Sequence, residues 1–88
     1  MIYFVSKVSE IFEDNGVYKL ISVEESLKLL ETIQVVGLDT ETEGFDPYTK
    51  KLLSLQLGCR DFQVVIDCST IDVTLYKEYL ESDRTFQA

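Results

Sequence analysis

Asp39 and Glu41 stand two residues apart directly behind the apolar run Val35-Val36-Gly37-Leu38. In an extended chain, alternate side chains project to the same face, so both carboxylates point one way and Thr40 points the other. Hard divalent cations such as Mg²⁺ or Mn²⁺ prefer carboxylate oxygens. Two such ions about 4 Å apart can stabilise both the attacking and the leaving oxygen of a phosphodiester cleavage. An Asp-x-Glu pair is a natural half of that arrangement. On spacing alone, however, the pair reads first as two solvated acids opening a loop, and the context around it has to decide.

The elements that would hold the pair are legible from pattern. Val35-Val36-Gly37-Leu38 is nearly all apolar, as expected of a central strand covered on both sides. Residues 43–51 contain Gly44 and Pro47 and read as a loop. Leu53, Leu55 and Leu57 then alternate with Ser54 and Gln56 as a second strand, and residues 62–66, rich in β-branched side chains, form a third. A short turn through Gly58 and Asp61 makes these last two an antiparallel hairpin. Ahead of this block, Ser22 followed by Glu25 is a capping box for a helix with Val23, Leu27, Leu30 and Ile33 on one face. Further upstream, Ile2–Val5 and residues 17–21 are β-prone and flank Asn15-Gly16, which predicts a hairpin between them. Downstream, Asp72 can cap a second helix with Leu75, Tyr76, Tyr79 and Leu80 at helical spacing, and Arg84 to Ala88 reads as the start of another strand.

The stretch from Val36 through Asp39-Thr40-Glu41-Thr42 to Tyr48, continued by Leu53-Ser54-Leu55-Gln56-Leu57-Gly58, resembles the 3′-5′ exonuclease domains of the DnaQ-like, ribonuclease H-like superfamily. The likeness is to the proofreading domains of family A DNA polymerases and to ribonuclease D. It is specific over residues 35–67 and looser over the flanking helices. The resemblance implies that Asp39 bridges two metal ions and that Glu41 binds one of them, with Mg²⁺ or Mn²⁺ as cofactor. It further implies that Thr42 lies near the terminal 3′-hydroxyl and Phe45 against the terminal base, with Thr40 grouped with them on the substrate side. Relatives often carry Leu at the Phe45 position. The ring can stack on a base or tuck into the core as a loop residue, and the sequence favours neither. Tyr48 and Lys50 read as a solvated loop before they read as phosphate contacts.

The same resemblance calls for two further acidic motifs. Asp61, Asp67, Asp72 and Asp83 read instead as turn, strand-end and helix-end residues, and the second motif is expected just past Ala88. The expectation is therefore an α/β fold with a ribonuclease H-like mixed sheet, its first three strands antiparallel, helices packed on it and later strands missing. Residues 1–88 would be the N-terminal part of a single exonuclease-like domain, inactive by itself. Its partner would be the 3′ end of single-stranded DNA or RNA, engaged through the parent protein, and an exposed sheet edge would favour self-association. A non-catalytic nucleic-acid-binding or protein-interaction module with the same fold is the second reading.

Composition narrows the chemistry further. The 88 residues suit one core and leave no room for a second domain. The absence of histidine removes Ser-His-Asp and Cys-His catalysis and histidine zinc sites from this chain. The formal charge of -8 argues against a surface that grips phosphates by counterion release, so contact with nucleic acid should be local and bridged by metal ions. Cys59 and Cys68 lack Cys-x-x-Cys spacing and read as reduced core thiols. No apolar run approaches the roughly 20 residues that cross a bilayer, and no signal-type N-terminus is present. The expected setting is soluble and cytoplasmic.

Overall fold

The computed structural model describes residues 1–7, 18–43 and 51–88. The strands are β1 (Ile2–Val5), β2 (Tyr18–Leu20), β3 (Val35–Glu43), β4 (Lys51–Gly58), β5 (Gln63–Asp67) and β6 (Thr85–Gln87). The helices are α1 (Val23–Leu30), a 3₁₀ turn (Val73–Tyr76) and α2 (Lys77–Leu80) that continues directly from it. All six strands join one mixed sheet in the order β2-β1-β5-β4-β3-β6. The expected antiparallel trio is β3-β4-β5, with Leu38 opposite Leu57 and Leu57 opposite Val64. β6 adds to β3 in parallel, so the strand read at the chain's end is present.

The N-terminal hairpin does not form. β1 and β2 are parallel, Ile2 facing Tyr18 and Phe4 facing Leu20, and β1 also runs parallel to β5. A tight turn can join only antiparallel neighbours. Asn15-Gly16 itself lies outside the described residues. The sheet has six strands, and its two edges, β2 and β6, are only three residues long.

Side-chain alternation divides the sheet into a dry and a wet face. Val5, Val36, Leu55, Leu57, Val64 and Ile66 all point to one side, where they meet Leu30 of α1, Tyr76 of the 3₁₀ turn and Tyr79 of α2 in a single core. The opposite face carries Asp39, Glu41, Gln63 and Gln87, all exposed. Val35, expected to be covered, is 52% exposed, while its neighbour Val36 is fully buried. Among the described residues β3 is thus covered on one side only, and its apolar run reflects a central place in the sheet more than two-sided packing.

α1 starts as its capping box dictates. The Glu25 amide donates to Ser22 Oγ at 3.1 Å, and the Ser22 amide donates to Glu25 Oε1 at 3.4 Å. The helix stops at Leu30, short of Ile33, which joins the core from the following turn. That turn is held by residues about fifty positions later. Arg84 donates to the carbonyls of Ile33 (3.0 Å) and Glu31 (3.1 Å), and its guanidinium lies 4.7 Å from the centre of the Tyr79 ring. Tyr79 Oη donates to Leu30 O, and the Thr85 amide donates to Gln34 O. Carbonyls left over at the end of α1 are in this way satisfied by the link that leads into β6, which fixes β3 and β6 side by side. Inside the core, the hydroxyls of Ser26 and Tyr76 meet at 2.7 Å, so the one buried polar side chain of α1 is satisfied.

Two stability predictions follow from these contacts. Arg84→Ala should lower unfolding stability by about 2 kcal/mol, the range for hydrogen bonds from a charged group, and Arg84→Lys should recover only part because it loses the planar fork. An unchanged urea midpoint for Arg84→Ala would show that the clamp is dispensable. A Cβ added at Gly58 would lie 2.5 Å from Phe62 O, the acceptor of the Cys59 amide in the β4–β5 turn, whereas one at Gly37 would make only an ordinary 3.5 Å contact. Gly58→Ala should therefore destabilise by at least about 1 kcal/mol more than Gly37→Ala, measured by the same titration.

Candidate metal and nucleic-acid site

The Asp39/Glu41 pair sits in the second half of β3, where the strand runs out from beneath the helices. Asp39 pairs with Gln56 and Glu41 with Ser54, successive positions of an unbroken antiparallel ladder. Two residues along such a strand place their Cα atoms roughly 6.6 Å apart on the same face. Both side chains are exposed. Asp39 Oδ1 accepts the Thr40 amide at 2.9 Å, which orients that carboxylate along the strand.

Immediately past Glu41 the register shifts. Glu41 faces Ser54 but Thr42 faces Leu52, leaving Leu53 as an extra residue in β4. This is a β-bulge, which sharpens local twist and turns the rim of the sheet. The Cys68 amide donates to Leu53 O, so the bulged residue is tied to the end of β5. Leu53 was read from the sequence as a regular member of the Leu55-Leu57 alternation, and the bulge takes it out of that pattern.

Thr40 and Thr42 are exposed positions of β3, and by alternation they project to the face opposite the acids. Phe45, Tyr48 and Lys50 lie outside the described residues. The structure thus brings Asp39 and Glu41 to one face and sets the two threonines across the strand from them.

A hollow of about 360 Å³ lies beside Asp39, and Gln56, Gln63 and Gln87 reach its walls. Gly37 lines it without contributing a side chain, which leaves the floor open beside Asp39. The three glutamines come from β4, β5 and β6, strands that only the sheet order brings together, so they were invisible as a group in the sequence.

Asp67 shares the wet face. Glu41, Ser54 and Asp67 occupy one row across β3, β4 and β5, which sets Asp67 roughly 10 Å from Glu41. Its carboxylate is already engaged: Oδ2 accepts from Ser6 Oγ (2.8 Å) and Thr70 Oγ1 (3.0 Å), and Oδ1 accepts from the amide and hydroxyl of Ser69. Partial burial pushes its pKa up, but the hydrogen bonds from Ser69, Ser6 and Thr70 outweigh that and leave it below the usual carboxylate value. Asp67 is the strand-end residue that the sequence suggested, and it pins the end of β1 to β5. Asp72 caps the 3₁₀ turn by accepting the Thr74 amide, Asp61 sits in the β4–β5 turn and Asp83 precedes β6. Among the described residues no group of three or more His, Cys, Asp or Glu side chains could enclose a metal ion. Two oxygen donors on an exposed face match the preference of Mg²⁺ or Mn²⁺, and they supply part of a coordination shell. Cys59 and Cys68 are unpaired and half-buried, and of the two Cys68 packs against the core while Cys59, read from the sequence as a core thiol, lies in the β4–β5 turn.

No family model and no curated protein matches the chain. Its fold, however, recurs in solved structures. The catalytic core of RRP6 from Trypanosoma brucei superimposes with a TM-score of 0.57 at 18% identity, over 86% of this chain and 18% of that one. Ribonuclease D of Escherichia coli, an exoribonuclease involved in structured RNA processing, gives 0.55 at 22% identity, over 66% and 16%. A mutant of the same RRP6 core gives 0.51 at 19% identity, over 77% and 16%. The fold is ribonuclease H-like. The chain spans less than a fifth of the length of these proteins. No helix among the described residues is long and apolar enough to cross a membrane.

The depressed pKa of Asp67 has a definite sign. A carboxyl held below its unfolded value of 3.8 adds stability above that pH and loses it as the pH falls through the folded value. The difference in urea midpoint between the wild type and Asp67→Asn should be fully developed at neutral pH and should shrink below about pH 4. A difference independent of pH would mean that shape, and not charge, holds this corner.

Proposed function

We propose that this chain contributes the first metal-binding motif of a 3′-5′ exonuclease domain, which hydrolyses nucleic-acid strands from the 3′ end with divalent metal ions. One observation carries the reading: Asp39 and Glu41 leave the second half of an interior strand together, on an exposed face, in a ribonuclease H-like sheet. In this reading Asp39 and Glu41 hold Mg²⁺ or Mn²⁺, and the metal supplies charge neutralisation at the phosphodiester and an activated water when bound. Thr42 and Phe45, with Thr40, stay assigned to the substrate side in this reading, to receive the terminal nucleotide beyond the acids.

The chain's own residues do three things for such a site. β3 fixes the spacing of the two carboxylates, the bulge at Leu53 bends the rim beside them, and the Arg84 clamp keeps β3 in register with β6. Two carboxylates alone hold Mg²⁺ weakly, so the isolated chain should bind metal poorly and cleave nothing. The strong net negative charge makes metal bridging, more than a basic surface, the route by which phosphates approach. The likeness of the fold to that of an exoribonuclease makes RNA the first substrate to try, with DNA as the comparison. The short β6 edge is where copies of the chain would pair if they self-associate.

Mn²⁺ titrated into isotopically labelled chain should broaden the amide signals of residues 38–42 and 54–56 before others. Uniform broadening, or broadening centred on Asp67, would reject the site and favour a non-catalytic module of the same fold. In any longer protein that contains this chain, Asp39→Ala should reduce 3′-end degradation by at least a thousandfold, because the residue is assigned to both metal ions. Retained activity would reject the assignment.

A further inference from the structure

The helical side of the molecule, opposite the acid pair, carries a second concavity. A groove of about 480 Å³ runs between α1 and the segment that combines the 3₁₀ turn with α2. Leu27 and Leu75 line it with Tyr79, while Glu31, Glu78 and Arg84 stand at its margins. Leu75 is 55% exposed, although its spacing to Tyr76 and Tyr79 suggested a core position. The reason is local. The 3₁₀ turn winds three residues per turn, which aligns Val73 with Tyr76 on the inner side and swings Leu75 outward over the groove.

The charges of this groove are not balanced internally. Arg84 is engaged with the carbonyls of Ile33 and Glu31, with Ser82 Oγ at 3.1 Å and with the Tyr79 ring. Among the described residues neither Glu31 nor Glu78 meets a cation at ion-pair distance. Two acids therefore stand at the margin of a groove whose apolar surface comes from Leu27, Leu75 and the Tyr79 ring, with Ser82 and Arg84 completing its lining.

We infer that this groove docks a basic amphipathic helix of a partner polypeptide, its Leu or Ile side chains entering between Leu27 and Leu75 and its Lys or Arg side chains meeting Glu31 and Glu78. A cleft between two helices is the shape that takes a third helix by ridge-and-groove packing. The charge pattern selects a cationic partner over an acidic one and over nucleic acid. The inference does not depend on the nuclease reading, since the groove and the acid pair lie on opposite faces of the sheet.

The test uses the full chain, labelled for amide NMR, and a synthetic helical peptide with Leu along one stripe and Lys along the other. Its controls are a peptide of the same composition with the stripe scrambled and a stripe peptide with Glu in place of Lys. The expected result is saturable shifts centred on Leu27, Leu75 and Tyr79, weakening as salt is raised, and at least tenfold weaker affinity for Leu75→Ser and for Glu78→Lys. Both substitutions fall on exposed side chains and should keep the wild-type urea midpoint. Should one variant fail to fold, the other still decides. Equal binding of the scrambled or the acidic peptide, shifts centred on the acid-pair face, or unchanged affinity in the folded variants would overturn the inference. So would concentration-dependent shifts of the same residues without peptide, which would assign the groove to a second copy of the chain.

Discussion

Strand β3 is held on one side by hydrocarbon and left open on the other, and the rest of the molecule depends on that asymmetry. Val36 is fully buried against the helical layer, while Gly37, Asp39 and Glu41 project the opposite way. Because side chains alternate with a period of two, a slip of one residue in the β3 register would turn both carboxylates to the helical side and bring Val36 out to water. Exposing Val36 gives up the burial of an apolar side chain at the centre of the core, and that loss disfavours the slipped register. The apolar effect that folds the sheet is thus the same effect that presents the acids.

Keeping that register takes anchors at both ends of β3. At the beginning, Arg84 and Tyr79 occupy carbonyls at the end of α1, and the Thr85 amide bonds to Gln34, so helix, turn and edge strand move as one unit. At the far end the bulge at Leu53 is tied through its carbonyl to Cys68, next to the Asp67 corner that fastens β1. The acids lie between these two anchored regions. A metal site needs its ligands held more tightly than a surface loop can hold them, and a strand fastened at both ends meets that requirement for these two residues.

Much of this was legible in the residues. The capping box at Ser22 and Glu25, the alternation of Leu55 and Leu57, and the strand carrying Asp39 and Glu41 are local patterns whose physics acts within a few residues, and each appears where its pattern put it; Leu53, read as part of that alternation, is instead the bulged residue and is exposed. What was not legible is set by distance along the chain. Asn15-Gly16 suggested a hairpin between β-prone segments, yet β1 found a better place parallel to β5, where Val5 is buried beside Ile66. A turn signal states a local preference, and burial of a strand's apolar face outweighs it. Ile33 and Leu75 fit the helical period but fall outside α-helix, because α1 ends at its clamp and the second helix opens with a 3₁₀ turn. The glutamine-walled hollow, the Arg84 clamp and the Ser6–Asp67 bond join strands and turns thirty or more positions apart, although Ser69 and Thr70, which also bond Asp67, follow it directly.

The Asp67 corner also bears on which acids can do chemistry. Asp39, Glu41 and Asp67 share one face of the sheet, and a count of carboxylates would make Asp67 the natural third member. Geometry and hydrogen bonding argue otherwise. The row from Glu41 through Ser54 to Asp67 crosses two strand spacings, too far for one ion to bridge. Four donor groups from Ser6, Ser69 and Thr70 already fill the lone pairs that a cation would need, and they must be displaced before any ion could bind. Asp39, by contrast, lines an open hollow with room for water, an ion or a phosphate oxygen next to its carboxylate, and Glu41 stands exposed on the same face. An acid that the fold has already satisfied is a fastener, and an acid that the fold leaves open to solvent keeps its lone pairs for a ligand from outside.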